Sequence, residues 1–262
     1  MQKRALGNTG YQVSAVVYGG IVSMNDGQEA SDRYVAWAME RGVNYFDVAP
    51  TYGDAEEKLG RSLIPYRKDV YLACKTTQRM KVDAEKELKR SMELVVRLKQ
   101  EGVLRKVGFS AHSEQAALRL LELYDFDTAL FPMNWMLDRN EGIGRALAKK
   151  AKEKGVGLLG MKSFIERAWK DDAEKAAYPK SWCKPFGVDQ TELRVAAMKH
   201  AIEMGSNVLV PPGNFENFSF MVEHADEALQ PLTDAERQML DNHFKQVAEY
   251  PFFVKSNGGW PV

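Results

Sequence analysis

The feature that most constrains this chain is a repeated alternation. Short apolar runs of strand-favouring residues are each followed by a longer stretch with apolar residues at helical spacing. The apolar runs centre near residues 17, 45, 72, 107, 129, 158 and 209. Helices are expected over Gly27–Arg41, Asp54–Leu63, Asp83–Gln100, Ser113–Tyr124, 140–154, 189–204 and 215–228. Strands alternating with helices at this spacing imply a parallel sheet covered by helices. Arg4–Ser14, RALGNTGYQVS, places Asn8–Gly10 turn chemistry between two short extended runs and reads as a β-hairpin. That many units, with the hairpin, point to an α/β fold of the (β/α)8 TIM-barrel type. A closed barrel of that type needs eight strands, and the apolar runs supply seven. The missing strand falls inside Asp83–Gln100, where Leu88, Met92, Val95, Val96 and Leu98 fit one face of a single helix, so periodicity reports no break.

A chain of 262 residues can bury a sizeable core, and no Gly/Ser/Pro-rich linker divides it, so a single domain over 1–262 is expected. Acidic and basic residues number 36 each, which gives no field for holding nucleic acid or an anionic membrane. A small molecule is the expected partner. No apolar run approaches the roughly 20 residues of a membrane span, and Met1–Gly10 has no signal-peptide core. Cys74 and Cys183 are too few for a disulfide framework or a cysteine-ligated iron–sulfur cluster, and no metal site is expected. These features favour a cytoplasmic setting and leave the oligomeric state open.

The chemistry concentrates in Gly42–Gly53, GVNYFDVAPTYG. Asp47 ends a short apolar strand, and a tight loop containing Pro50 and Gly53 presents Tyr52 beyond it. Val70–Ala73 is the next apolar run and leads to Lys75. A carboxylate, a phenol and an ammonium at one end of one sheet suggest proton transfer. An unperturbed phenol has a pKa of about 10, and a neighbouring ammonium held by a carboxylate is expected to lower it. Cys74 reads as a core residue preceding Lys75, not as a nucleophile.

Taken in order, RALGNTGYQVSAVVYGG, NYFDVAPTYGDAEEKLG, ACKT, RKVGFSAHS and VPPG resemble the aldo-keto reductase family from about Arg4 to Glu236. The most specific part is the D-V-A-x-x-Y-G block with the later lysine. The resemblance implies an eight-stranded (β/α) barrel with a hairpin across its bottom and NAD(P)H-dependent reduction of aldehydes or ketones. It implies Tyr52 as the general acid, tuned by Lys75 and Asp47. Gly19 and Gly20, ending the first core strand, join the implied cofactor set. Ser110 and His112 match the segment that holds the nicotinamide carboxamide, and Asn134 matches the amide at the end of the next strand. Met161 falls where the family often stacks an aromatic on the nicotinamide, leaving van der Waals contact. Lys162 and Phe164, then Gly213, Asn214 and Phe215, match the pyrophosphate and adenosine-phosphate segments. A glycine before a helix N-terminus suits phosphate, although on its own Gly213 reads as an ordinary strand-to-helix turn. Val208–Gln230 contains no Lys or Arg, where members using NADP usually place basic residues, so the cofactor is NADP or NAD.

The departure from the family is specific. The strand carrying the family's usual catalytic His is missing, because SMELVVRLKQEGVLRKVGFS runs straight to the next strand. His112 lies after that next strand and is no substitute by motif, while His200, His224 and His243 lie on expected helices. A seam is therefore expected between strands 72 and 107, unless the barrel closes with seven strands or the sequence lacks a segment of its parent. The rival to a carbonyl reductase is a non-catalytic dinucleotide-binding barrel, and an unrelated phosphate-binding barrel enzyme is a weaker one. The loop Ser163–Val188, with Trp169, Tyr178, Trp182 and Phe186, reads as a lid or pocket wall, or as a short surface helix with inward aromatics. The tail PFFVKSNGGWPV is expected to line the pocket or cover the barrel's outside. Which carbonyl is reduced is not legible, because pocket loops vary freely on this scaffold.

Overall fold

The computed structural model describes residues 1–75 and 84–250, with the side chains of 84–91 left out of the description. It opens on the hairpin β1 (Lys3–Ala5) and β2 (Gln12–Ser14), antiparallel with Arg4 opposite Val13. Then come β3 (Tyr18–Gly19), a 3-10 turn at Gly20–Ser23, α1 (Gln28–Glu40), β4 (Tyr45–Val48), α2 (Ala55–Ser62), β5 (Tyr71–Cys74) and α3 (Ala84–Gln100). β6 (Gly108–Ser110), α4 (Glu114–Leu123), β7 (Thr128–Pro132), α5 (Trp135–Glu141), α6 (Arg145–Lys154) and β8 (Gly157–Met161) follow. The loop after β8 holds β9 (Ile165–Arg167), α7 (Asp172–Ala176) and β10 (Lys184–Pro185). The chain continues with α8 (Thr191–Glu203), β11 (Val208–Val210), α9 (Phe215–Glu223), α10 (Ala225–Ala228) and α11 (Asp234–Val247).

Two parallel sheets, β3-β4-β5 and β6-β7-β8-β11, carry the barrel, and a parallel bridge from Val16 to Leu209 joins them. Period-2 alternation sorts their side chains. One set, including Val17, Tyr45, Leu130, Leu159, Val208 and Val210, packs together inside with Met161 and Ala73. The opposite set, including Phe46, Val48, Phe131, Leu158 and Leu209, meets the helices outside. The hairpin closes the strands' N-terminal ends. Arg4 donates to the Ser206 and Asn207 carbonyls at 3.0 and 2.6 Å, and the Asn8 N–H donates to the Gly155 carbonyl at 2.7 Å. Gly7 has φ +51 and lies so close to Gly157 N that a Cβ there would sit 2.4 Å from it, which explains the glycine.

Among the described residues no pairing joins β5 to β6, where the strand count puts the gap. The flanking strands differ from the others accordingly. β4 and β11 are buried throughout, whereas Cys74, Gly108 and Ser110 are exposed. Cys74 is therefore not the core residue expected, because an edge strand leaves one flank to solvent. α3 runs as one helix over its described length, with Met92 buried but Leu94 and Val96 exposed at 47% and 42%. At the bottom of the gap Tyr11 stacks on Tyr71 of β5 with ring centroids 4.3 Å apart, and Arg105 and Lys106, leading into β6, lie over Tyr11 at 5.9 and 5.7 Å. An aromatic from the hairpin thus bridges β5 and the approach to β6.

Three boundaries depart from the sequence reading. The expected helix 140–154 is two helices, because Gly142 and Gly144 take φ of +66 and +104, left-handed backbone that a helix cannot contain. The expected helix 215–228 breaks at His224. The loop 163–188 is a small β-hairpin carrying a short helix, with Phe186 buried and Trp182 63% exposed, so its aromatics do not all turn inward. The C-terminal tail PFFVKSNGGWPV lies outside the described residues.

Candidate functional site

Asp47 lies one alternation above Tyr45 on the inner face of β4, and β5 lies in register with Asp47 opposite Ala73. The Lys75 N–H donates to the Val48 carbonyl at 3.0 Å, which extends the ladder one step and brings the Lys75 side chain across to Asp47. Its ammonium donates to both carboxylate oxygens of Asp47. The turn after β4 is closed by the Tyr52 N–H donating to the Ala49 carbonyl at 3.0 Å, and Gly53 at φ +53 starts the descent into α2. This puts the Tyr52 hydroxyl 3.4 Å from Lys75 Nζ, with the ammonium 5.1 Å from the ring centre. The three groups read from sequence therefore share the barrel's C-terminal rim, where barrel enzymes place their chemistry.

The electrostatics correct one expectation. Burial raises the Tyr52 phenol above its ordinary pKa, and the nearby Asp47 anion adds to the rise, while Lys75 opposes it without prevailing. Lys75 directs its ammonium at Asp47, so the phenol receives only part of its field. Burial alone would lower Lys75, yet Asp47 and Tyr52 together hold it above its usual value and keep it charged.

The other rim residues form two groups. Asn134, fully buried, caps α5 by accepting from the Met136 and Leu137 N–H groups at 2.8 and 3.3 Å. Its amide nitrogen donates to the Lys162 and Ile165 carbonyls at 2.7 and 3.0 Å, so all four hydrogen-bonding positions serve the scaffold. Lys162 follows β8 at φ +64, a left-handed backbone for a non-glycine residue, and burial brings its ammonium down to about 7. Phe164 is fully buried, whereas Met161 is half-buried among the inner barrel residues. Across β11, Asn214 caps α9 by accepting from the Asn217 N–H at 2.9 Å. Phe215 turns away onto Tyr34 of α1 with centroids 4.2 Å apart. A Cβ on Gly213 would meet the Lys180 carbonyl at 1.7 Å, so the 163–188 loop lies directly on it. Lys180 itself reaches the Val22 carbonyl at 3.0 Å and Asp26 at 2.7 Å. Ser110 is exposed at the end of β6 and His112 is half-buried just beyond. Gly19 ends β3 and Gly20 opens the 3-10 turn after it, and a Cβ on Gly20 would strike the Asp47 carbonyl at 2.8 Å, so this glycine lets the turn pack against β4.

The other three histidines are held elsewhere. His200 contacts Asp138 at 2.9 Å, His224 contacts Glu227 at 3.0 Å and His243 contacts Glu166 at 2.7 Å. The residue that sequence reasoning missed is Arg194 on α8. It is 2% exposed, with its guanidinium between the rings of Phe164 and Phe220. Among the described residues its Nε and the Ser163 hydroxyl are buried without hydrogen-bond partners. Only an arginine interrupting the apolar run of α8 hinted at it. Among the described residues no cluster of His, Cys, Asp and Glu could hold a metal, and no helix is long and apolar enough to cross a membrane.

Comparison with known proteins bears on the fold and on part of the sequence. Residues 18–94 match the model of the aldo/keto reductase family. Solved structures of similar fold include an aldo-keto reductase from Bacillus halodurans in its holo form, with TM-score 0.68 and 19% identity over 93% of this chain and 96% of that one. Another is a Pseudomonas aeruginosa protein assigned to the aldo-keto reductases, with TM-score 0.64 and 20% identity over 87% of this chain and 96% of that one. No curated protein matches in sequence. The resemblance to the aldo-keto reductases is thus one of sequence over residues 18–94 and one of fold over nearly the whole chain.

Proposed function

We propose that the chain is a carbonyl oxidoreductase that reduces small aldehydes or ketones with a nicotinamide cofactor, NADP or NAD, Tyr52 giving the proton. The observation that carries this reading is the Asp47–Lys75–Tyr52 cluster at the mouth of a parallel barrel. The cofactor, when bound, supplies hydride. Among the described residues Ser163 Oγ and Arg194 Nε are buried donors without partners, and the Arg194 guanidinium lies over Phe164; unmet donors of this kind support an anionic ligand in this part of the fold. Met161, Lys162, Ser110, His112, Gly19, Gly20 and the Gly213–Phe215 turn are the residues that hold the cofactor in this reading, with Asn134 and Phe164 behind them.

A phenol whose pKa burial has raised stays protonated at neutral pH, so Tyr52 is held in its donor form. Lys75, fixed by Asp47, faces the oxygen on which negative charge grows as the proton leaves. Positioning and electrostatics are then the protein's share of catalysis. No histidine occurs between Lys75 and Gly108, so the usual His has no counterpart, and three of the four histidines are engaged by Asp138, Glu227 and Glu166. This observation favours the second reading, a barrel that binds NAD(P) with little turnover. Oxidation of NADH or NADPH by a reactive aromatic aldehyde separates the two. Turnover that falls about 10²- to 10⁴-fold in Tyr52→Phe, with nucleotide affinity kept, supports the reductase. Nucleotide binding without turnover selects the binding barrel.

A further inference from the structure

One segment, Gly20–Asp26, holds both ends of the connection that carries Tyr52. At its start a Cβ on Gly20 would meet the Asp47 carbonyl at 2.8 Å, so the 3-10 turn lies against the end of β4. At its far end a Cβ on Gly53 would come within 3.0 Å of Asn25 Oδ1 and 3.3 Å of Met24 Cγ, so the same segment lies against the residue after Tyr52. Asn25 takes φ +62, and among the described residues it and Lys162 are the only non-glycine residues in left-handed backbone. Such a conformation costs on the order of 1–3 kcal/mol and persists only where surrounding contacts determine it. Those contacts come from Asp54. It occupies the N-cap of α2, where an aspartate ordinarily accepts from its own helix. Here its carboxylate accepts instead from the Asn25 N–H at 2.9 Å and from the Lys58 ammonium at 2.5 Å. Lys58 also donates to the Asp26 carbonyl, so one ammonium ties Asp54 to the residue after Asn25. The bonds from Lys58 and Asn25 hold the Asp54 carboxyl below its ordinary range, which keeps it ionised at neutral pH. What this bracket holds is sensitive to position. The Tyr52 hydroxyl reaches Lys75 at 3.4 Å, a long contact that a small displacement of the turn would break.

We propose that Asp54 is a positioning residue for the proton donor: bound to the Asn25 N–H and to Lys58, it clamps the Gly20–Asp26 segment onto the Tyr52–Gly53 turn and so sets the Tyr52 hydroxyl against Lys75. This rests on the reductase reading. Asp54 acts through the backbone of the turn and not on the reacting atoms. Its side chain is 45% exposed, so the clamp adds little to global stability and its effect is local.

The test compares the parent with Asp54→Ala and Asp54→Asn in the reduction of a reactive aromatic aldehyde by NADPH or NADH, with thermal melts of each protein. Fluorine NMR of protein made with fluorotyrosine follows the Tyr52 ring, and Tyr52→Phe identifies its signal. D54A is expected to lower kcat about tenfold, short of the roughly 10²-fold that a 1 Å misplacement can cost, with KM within about twofold. D54N keeps an oxygen for the Asn25 N–H and stays within about threefold of the parent in kcat. The Tyr52 signal is expected to shift in D54A and to stay in place in D54N, both variants melting close to the parent. If D54A does not fold, D54S takes its place, since serine caps α2 but is one bond too short for the Asn25 N–H. Unchanged kcat in D54A overturns the proposal, as does a fall in kcat with an unmoved Tyr52 signal, a loss confined to KM, or an equal loss in D54N. A parent without turnover whose Tyr52 signal still shifts in D54A refutes the reductase reading and keeps the clamp. No turnover and an unmoved signal overturn both.

Discussion

The Asp47–Lys75 pair should respond unequally when broken from its two sides. The Asp47 side chain is 7% exposed and the Lys75 side chain 22%. Lys75→Met strands a carboxylate that cannot reach water, and the penalty for an uncompensated buried charge is about 3–5 kcal/mol. About 3 kcal/mol is expected, at the low end because the rim is partly open. Asp47→Asn leaves an ammonium that can turn its head outward and keeps one oxygen acceptor, so about 1.5–2 kcal/mol is expected. The double variant strands no charge, which gives a coupling of roughly 2 kcal/mol. At about 2–4 °C per kcal/mol for a domain of this size, Lys75→Met should melt roughly 6–12 °C below the parent. Urea unfolding of the parent, both single variants and the double variant measures every term of the cycle. A larger cost for Asp47→Asn than for Lys75→Met would refute the burial argument. A coupling below about 0.5 kcal/mol would make this an ordinary surface pair and remove the basis for Lys75 being held toward Tyr52.

Other consequences are checked in the same preparations. Because Tyr52 lies above the ordinary phenol value of about 10 and Lys75 above its own usual value, reduction should show no loss from these groups from pH 6 to 9. It should decline only as the phenol gives up its proton at higher pH; a fall centred near pH 7 would rule Tyr52 out as the proton donor. Lys162, near 7 when folded, has an unfolded value of about 10.4. Between these values the unfolded chain binds the extra proton, so this group's destabilisation is full below about pH 7 and fades as pH rises toward 10. Lys162→Met should therefore stabilise the protein at pH 6, on the order of a few kcal/mol, with the advantage shrinking by pH 9 to 10; parallel stability curves for variant and parent would contradict this. Gly7→Ala forces a Cβ to within 2.4 Å of Gly157 N at a left-handed φ. It should lower stability by about 2 kcal/mol or more in urea unfolding while leaving nucleotide binding unchanged.

Much of the molecule follows from local sequence. Apolar runs of four or five residues and the helices between them specify parallel βα units, because strand and helix periods differ and each buries one face. The strand count also located the gap, since a missing strand removes an apolar run from the sequence itself. Asp47, Tyr52 and Lys75 were legible because one ladder register and one tight turn, both local features, bring them together. Other properties depend on which groups meet through space. The phenol's pKa turns on how deeply Tyr52 is buried against how much of Lys75's charge Asp47 engages, and only packing sets that balance. The Asn134 amide, read as a cofactor contact, commits its hydrogen bonds to the Lys162–Ile165 turn about 30 residues later. Arg194 looks in sequence like one arginine in a mostly apolar helix. Its meaning comes from Phe164 and Asn217, in the turn after β8 and in the first turn of α9, which the chain's order keeps apart. Periodicity therefore determined the units and the location of the Asp47–Tyr52–Lys75 cluster, because both depend on neighbours along the chain. Burial and long-range pairing decided the charge state of that cluster and the surroundings of Arg194, because desolvation is a property of the assembled interior.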